Sequence, residues 1–100
     1  MTLASGLDIP ADTVADICRR YRIRELSIFG SAARGDMTSS SDVDVMVEFE
    51  PGYHPGLGWF DLEEDLARAL GRKADITQKS LLKPRVRNSA LKDAVVVYGG

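Results

Sequence analysis

Apolar residues along this chain repeat with two different periods. Val14, Ile17, Cys18 and Tyr21 recur at three- and four-residue steps, which predicts a helix with one apolar face. Pro10 suits its first turn, Asp12 and Asp16 lie early in it, and Arg19, Arg20 and Arg22 follow at the end where cations complement the helix dipole. The short apolar run from Leu26 to Phe29, stopped by Gly30, predicts a buried strand. Further on, Val43, Val45, Val47 and Phe49 alternate with Asp42, Asp44, Met46 and Glu48, the period-two pattern of a strand with one buried face.

The segment from Ser31 to Ser41 is polar and rich in small residues, and Pro51 to Gly58 carries two prolines and three glycines, so the latter reads as a loop. Trp59, Leu62, Leu66 and Leu70 then mark a second amphipathic helix, closed by Gly71. Ala74 to Thr77 is a short third strand, Ser80 caps a turn, residues 84 to 92 form a third helix, and Ala94 to Tyr98 a fourth strand. The expected fold class is α/β (α+β): two layers, a mixed β-sheet of about four strands, and helices packed on one face. No internal repeat or linker divides the chain, so residues 1–100 are expected to form a single domain.

One hundred residues, 44% of them hydrophobic, suffice for one core but leave little room for a separate acceptor-binding domain. An enzyme of this size is expected to borrow part of its acceptor site from a partner or a second copy. The net charge of −2 argues against generic nucleic-acid binding, which relies on a basic surface. The single cysteine, Cys18, allows no intrachain disulfide and reads as core packing. No apolar run approaches the length of a membrane span, and residues 1 to 10 lack the features of a signal peptide, so a cytoplasmic location is expected.

The chemistry concentrates in Phe29-Gly30-Ser31-Ala32-Ala33-Arg34-Gly35-Asp36 and Ser41-Asp42-Val43-Asp44-Val45. Asp42 and Asp44 are two apart on a strand, so their carboxylates leave the same face with Cα atoms about 6.6 Å apart. Like charges so placed repel, and a divalent cation between them reverses the sign. Magnesium favours one or two carboxylates plus substrate phosphates. Asp75 sits between the apolar Ala74 and Ile76, where a charge is unwelcome unless paired or metal-bound. If its strand neighbours the Asp42–Asp44 strand in register, three carboxylates converge, enough for two ions. Asp75 could then also orient or deprotonate an acceptor hydroxyl.

Gly30 and Ser31 lie where a strand gives way to a turn or short helix, allowing close backbone approach to a phosphate. Arg34 is a candidate phosphate clamp, because its guanidinium fork matches phosphate geometry, and Gly35 permits the bend that follows. Asp36 reads as a turn former. His54, the only histidine, reads as a mobile surface residue, and Trp59 as core or partner-facing packing. Lys79, Lys83, Arg85 and Arg87 are either a solvated helix end or a patch for triphosphate or an acidic partner. Tyr98 packs on the sheet or lines a partner surface.

At these residues the chain resembles the polymerase-beta-like nucleotidyltransferase superfamily, marked by Gly-Ser, a spacer and Asp-x-Asp. More narrowly it resembles the minimal nucleotidyltransferase (MNT) family, with Gly30-Ser31-Ala32-Ala33-Arg34-Gly35 followed by Ser41-Asp42-Val43-Asp44. The likeness continues through Lys73-Ala74-Asp75-Ile76 and Leu82-Lys83-Pro84 to Ala94–Tyr98, with Ala74 replacing a frequent valine. The resemblance implies that Gly30 and Ser31 contact nucleotide phosphates, that Asp42 and Asp44 hold Mg2+, and that Asp75 is the third carboxylate of that metal site. It further implies that ATP is the substrate and that AMP passes to a hydroxyl, a tyrosine, of a partner HEPN-domain toxin. The chain would then be the antitoxin of a type VII toxin–antitoxin pair. The competing expectations are an antitoxin that masks its toxin by binding alone, and a transferase acting on a small molecule.

Overall fold

The structure is a computed structural model that describes residues 1–99. Its helices are α1 (Ala11–Arg20), the single-turn α2 (Ser31–Arg34), α3 (Gly58–Leu70) and α4 (Pro84–Asp93). Its strands are β1 (Ile23–Phe29), β2 (Val43–Phe49), β3 (Ala74–Gln78) and β4 (Val95–Gly99), and a 3-10 turn, Lys79–Leu81, precedes α4. They form one sheet in the order β3-β2-β1-β4. β1 runs antiparallel to both β2 and β4, whereas β2 and β3 are parallel, so the sheet is mixed. The parallel pair needs a long crossover, which α3 supplies.

The core lies on the face covered by α1 and α3. Val14, Ile17 and Cys18 of α1 and Leu62, Leu66 and Leu70 of α3 meet Leu26, Ile28, Val43, Val45 and Val47 of the sheet. The helical stripes and the period-two pattern of β2 thus point into one shared core, as the sequence predicts. Both α3 and its predicted cap behave as expected: Gly71 takes the left-handed conformation and donates its N–H to Ala67 O.

The opposite face carries the polar residues of the same strands. Cross-strand partners there are Phe29 and Asp44, Ser27 and Met46, Asp44 and Asp75, and Met46 and Thr77. Met46 departs from the half-buried pattern: although it shares this face with Asp44 and Glu48, it is 1% exposed. Helix α4 borders this side, and its Ala90 is buried outside the main core.

Several local features differ from the sequence reading. β1 starts at Ile23 rather than Leu26, because its polar positions find charged partners: Arg24 binds Glu48, and Glu25 receives Lys79 Nζ at 3.2 Å. The first ten residues fold back on themselves through a Thr2–Asp8 bridge and bury Leu3 and Ile9. His54 is exposed yet engaged: its ring stacks on Trp59 at 6.1 Å, and its Nδ1 accepts the Gly56 N–H. Trp59 itself packs on Phe49, and Tyr98 packs partly buried against the core.

Candidate active site

Gly30 ends β1 with φ 69° and ψ −149°, a conformation restricted almost entirely to glycine. A Cβ here would also collide with Asp44 Oδ2 on the neighbouring strand. The Gly30 carbonyl accepts the N–H groups of Ala33 and Arg34 at 3.1 and 3.0 Å, starting the single turn of α2. Gly35 at φ 96° ends it. Ser31 is half-buried, and its hydroxyl has no intramolecular partner among the described residues. Glycine at position 30 therefore lets the chain turn directly beside a carboxylate.

Asp42 lies just before β2 and Asp44 within it, and the parallel register sets Asp75 directly opposite Asp44. The three form one electrostatic neighbourhood. The Asp44 carboxyl is pushed above its ordinary range by burial first, then by the negative charges of Asp75 and Asp42; Arg34 pulls it back only in part. None of the three forms an ion pair among the described residues.

They are neighbours without being a finished cage. Among the described residues, no three His, Cys, Asp or Glu side chains are already gathered to hold an ion. Open carboxylates short of cationic charge nevertheless suit magnesium, a hard cation that takes one or two carboxylates and completes its shell with phosphate oxygens and water. The donor set fits that ion.

A cavity of about 580 Å³ opens beside Asp44, within the size range of small-molecule sites. Phe29, Gly30 and Arg34 line one side, and Arg85 and Ser89 of α4 line the other. On its side of the cavity Arg34 donates from Nε to Asp36 and from Nη1 to Asp93, each at 3.3 Å. These two carboxylates, Asp93 first, hold the guanidinium firmly charged.

The fold thus gathers Gly30, Arg34, Asp42 and Asp75 around Asp44, with Ser31 next in the chain after Gly30; of the six, only Gly30, Arg34 and Asp44 line the cavity. The sequence reading had no place for Ser89 and Asp93 in this cavity, and left Arg85 undecided within a basic group. The only sequence signal was the density of Lys and Arg around α4; what puts Arg85 on the cavity wall is how α4 packs. Lys79, from the same group, is instead taken by Glu25.

Comparison with known proteins agrees with this geometry. The family described as Polymerase beta, Nucleotidyltransferase matches residues 12–100. A candidate protein adenylyltransferase of Methanocaldococcus jannaschii is 40% identical over 80 residues, covering 78% of this chain and 80% of the relative. The protein adenylyltransferase MntA of Thermococcus cleftensis is 37% identical over 84 residues, covering 82% of each. Among solved structures, a candidate minimal nucleotidyltransferase superposes with a TM-score of 0.73 at 34% identity, covering 85% of this chain and 86% of that one. A complex of a tri-AMPylated Shewanella oneidensis HEPN toxin with its MNT antitoxin shares the fold, with a TM-score of 0.64 at 16% identity over 90% of this chain and 70% of that one. With its Gly30-Ser31 turn abutting Asp44, and with relatives this similar over most of their length, the chain belongs to the polymerase-beta nucleotidyltransferase family, in its minimal nucleotidyltransferase branch.

Proposed function

We propose that this chain transfers AMP from ATP to a hydroxyl, a tyrosine, of a partner HEPN toxin, and is thereby the antitoxin of a type VII toxin–antitoxin pair acting in the cytoplasm. The observation that carries the reading is the register pairing of Asp44 with Asp75, with Asp42 two residues away and Gly30 in contact range. Support for the acceptor comes from the MntA relative, a protein adenylyltransferase, and from the AMPylated toxin bound to a protein of the same fold. No described helix is long and apolar enough to cross a membrane. Residues 1–100 act here as one catalytic domain that relies on the partner for the rest of the acceptor site.

In this reading the triphosphate enters the cavity beside Asp44, with the Gly30-Ser31 turn against its phosphates. The Ser31 hydroxyl donates to a phosphate oxygen. Arg34 exchanges its bonds to Asp36 and Asp93 for a phosphate, whose geometry its planar fork matches. Asp42, Asp44 and Asp75 would hold magnesium, two ions in our reading, which supplies positive charge to the triphosphate as charge develops. The acceptor oxygen forms a bond to the α-phosphorus as the bond from that phosphorus to the bridging oxygen breaks, and pyrophosphate leaves. A carboxylate oxygen of Asp75 takes the hydroxyl proton. Positioning and charge complementarity supply most of the rate, as in phosphoryl transfer generally.

The test incubates the protein with labelled ATP, magnesium and its neighbouring gene product, comparing wild type with Asp44→Ala. Label on a partner tyrosine with wild type alone supports the reading. Equal neutralisation of the toxin by both proteins, with no label transferred, supports masking by binding instead. Label passing to a small molecule and never to protein points to the third class of acceptor.

A further inference from the structure

We infer that Arg72 is a positioning residue for Asp42: it braces the backbone from which that carboxylate projects. The inference rests on the nucleotidyl-transfer reading above, but its structural part can be tested without any acceptor.

A single nitrogen of Arg72, Nη1, donates to two backbone carbonyls, Thr38 O at 2.8 Å and Ser41 O at 3.1 Å. These are the two ends of a tight turn. Within it, Ser41 N–H donates to Thr38 O at 3.2 Å, Thr38 N–H to Ser41 Oγ at 2.9 Å, and the Thr38 and Ser41 hydroxyls are hydrogen-bonded at 2.9 Å. Asp42 follows immediately. On its other side, the Val43 N–H donates to the Lys73 carbonyl at 2.9 Å. The peptide groups flanking Asp42 are therefore both held by consecutive residues, Arg72 and Lys73. That same segment runs into β3 and delivers Asp75 opposite Asp44.

The chemistry of the arrangement points the same way. Arg72 makes no ion pair among the described residues; its charge is directed at carbonyl dipoles. Asp42 is exposed and accepts no hydrogen bond from the described residues, so its place relative to Asp44 and Asp75 is set by its backbone alone. The left-handed Gly71 turns the chain out of α3 at the position that aims Arg72 at the turn, and Arg72 N–H donates to Ala67 O at 3.2 Å. A brace that couples the Asp42 turn to the Asp75 strand would hold the spacing of the carboxylates before magnesium or nucleotide arrives. Misplacement of a reacting group by about 1 Å can cost about 100-fold in rate, so such a brace is worth having.

The test compares wild type, Arg72→Ala and Arg72→Lys. Because one nitrogen makes both bonds, an ammonium can replace it, and the lysine variant should keep much of the function. The first readout is amide hydrogen exchange over residues 38–44, which needs neither nucleotide nor partner. Exchange should accelerate about tenfold in Arg72→Ala and much less in Arg72→Lys, with the core strand β1 unchanged. The second readout is magnesium binding by the chain with a non-hydrolysable ATP analogue, which should weaken in Arg72→Ala. The third is transfer, where kcat should fall about tenfold or more while the KM for ATP stays within about threefold. Unchanged exchange in Arg72→Ala would overturn the brace. So would a rise in KM alone, which would mark Arg72 as a direct nucleotide contact. If Arg72→Ala fails to fold, Arg72→Met, which keeps an apolar stem but has no donor, takes its place: faster exchange at residues 38–44 supports the brace and unchanged exchange there overturns it. A wild-type protein that transfers nothing sinks the proposed function, and the exchange result then still decides the brace.

Discussion

Gly30 and Asp44 sit so close that the missing side chain of one makes room for the carboxylate of the other. A Cβ on Gly30 would strike Asp44 Oδ2, and its φ of 69° with ψ of −149° already disfavours any other residue. Gly30→Ala should therefore cost about 1–3 kcal/mol from backbone strain and displace Asp44 as well. Gly52 supplies the control, since it also has positive φ, at 79°, but open space around it. Gly52→Ala should cost about 1–2 kcal/mol and leave transfer intact. Thermal unfolding and transfer assays on both variants measure the difference, and equal activity in the two would contradict the contact.

The charge on Asp44 makes a prediction about stability and pH. Its folded pKa is raised above its unfolded one, by burial and by Asp75 and Asp42. At pH values below the ordinary carboxylate range the group is protonated in both states and contributes nothing. As the pH rises from there through the raised folded value, ionisation favours the unfolded chain, and the penalty is complete above that value. Asp44→Asn should thus raise Tm at neutral pH, with the gain vanishing in acid. On the proposed function, magnesium should raise Tm in wild type and do so less in Asp44→Asn, where one of the carboxylates proposed to hold it is gone. Melting curves across pH, with and without magnesium, test both statements.

Arg34 is expected to act on nucleotide affinity. It lines the cavity, its guanidinium held by Asp36 and Asp93 at 3.3 Å each. Arg34→Met should raise the KM for ATP by about tenfold, the equivalent of about 1.4 kcal/mol, with a smaller effect on Tm. Arg34→Lys should recover little of it, since an ammonium cannot present two parallel donors. Initial-rate kinetics at varied ATP concentration decide the point.

Cys18 should be inert until the protein unfolds. It is fully buried on the inner face of α1, and burial pushes its thiol up to about 12. Reaction with a disulfide reagent at neutral pH should follow the rate of opening, with no fast phase. Cys18→Ser would bury a hydroxyl in an apolar site and should cost about 1–3 kcal/mol, read from denaturant unfolding.

Much of this molecule is written locally. The spacing of Val14, Ile17 and Cys18, and of Leu62, Leu66 and Leu70, placed two helices and named their buried faces, because a helix repeats every 3.6 residues wherever it sits. The alternation through Val43, Val45 and Val47 likewise fixed the buried face of β2 and left Asp44 on the other, whereas Asp42, expected on the same strand, falls just before it. Met46 broke that pattern, and the polar start of β1 at Arg24 and Glu25 went unseen. For the charged pair the deciding contacts come from distant segments, Glu48 and Lys79.

The sequence alone determined the types of groups available: three carboxylates, a glycine-serine turn and an arginine, with two of the carboxylates only two residues apart. The tertiary structure alone decided that β3 lies parallel to β2 with Asp75 opposite Asp44, that α4 closes a cavity beside them, and that Arg72 reaches back to the turn before Asp42. The reason is physical. Periodicity constrains which way a side chain faces relative to its own backbone, whereas register, strand order and bracing depend on contacts between segments 30 or more residues apart, which no local pattern encodes.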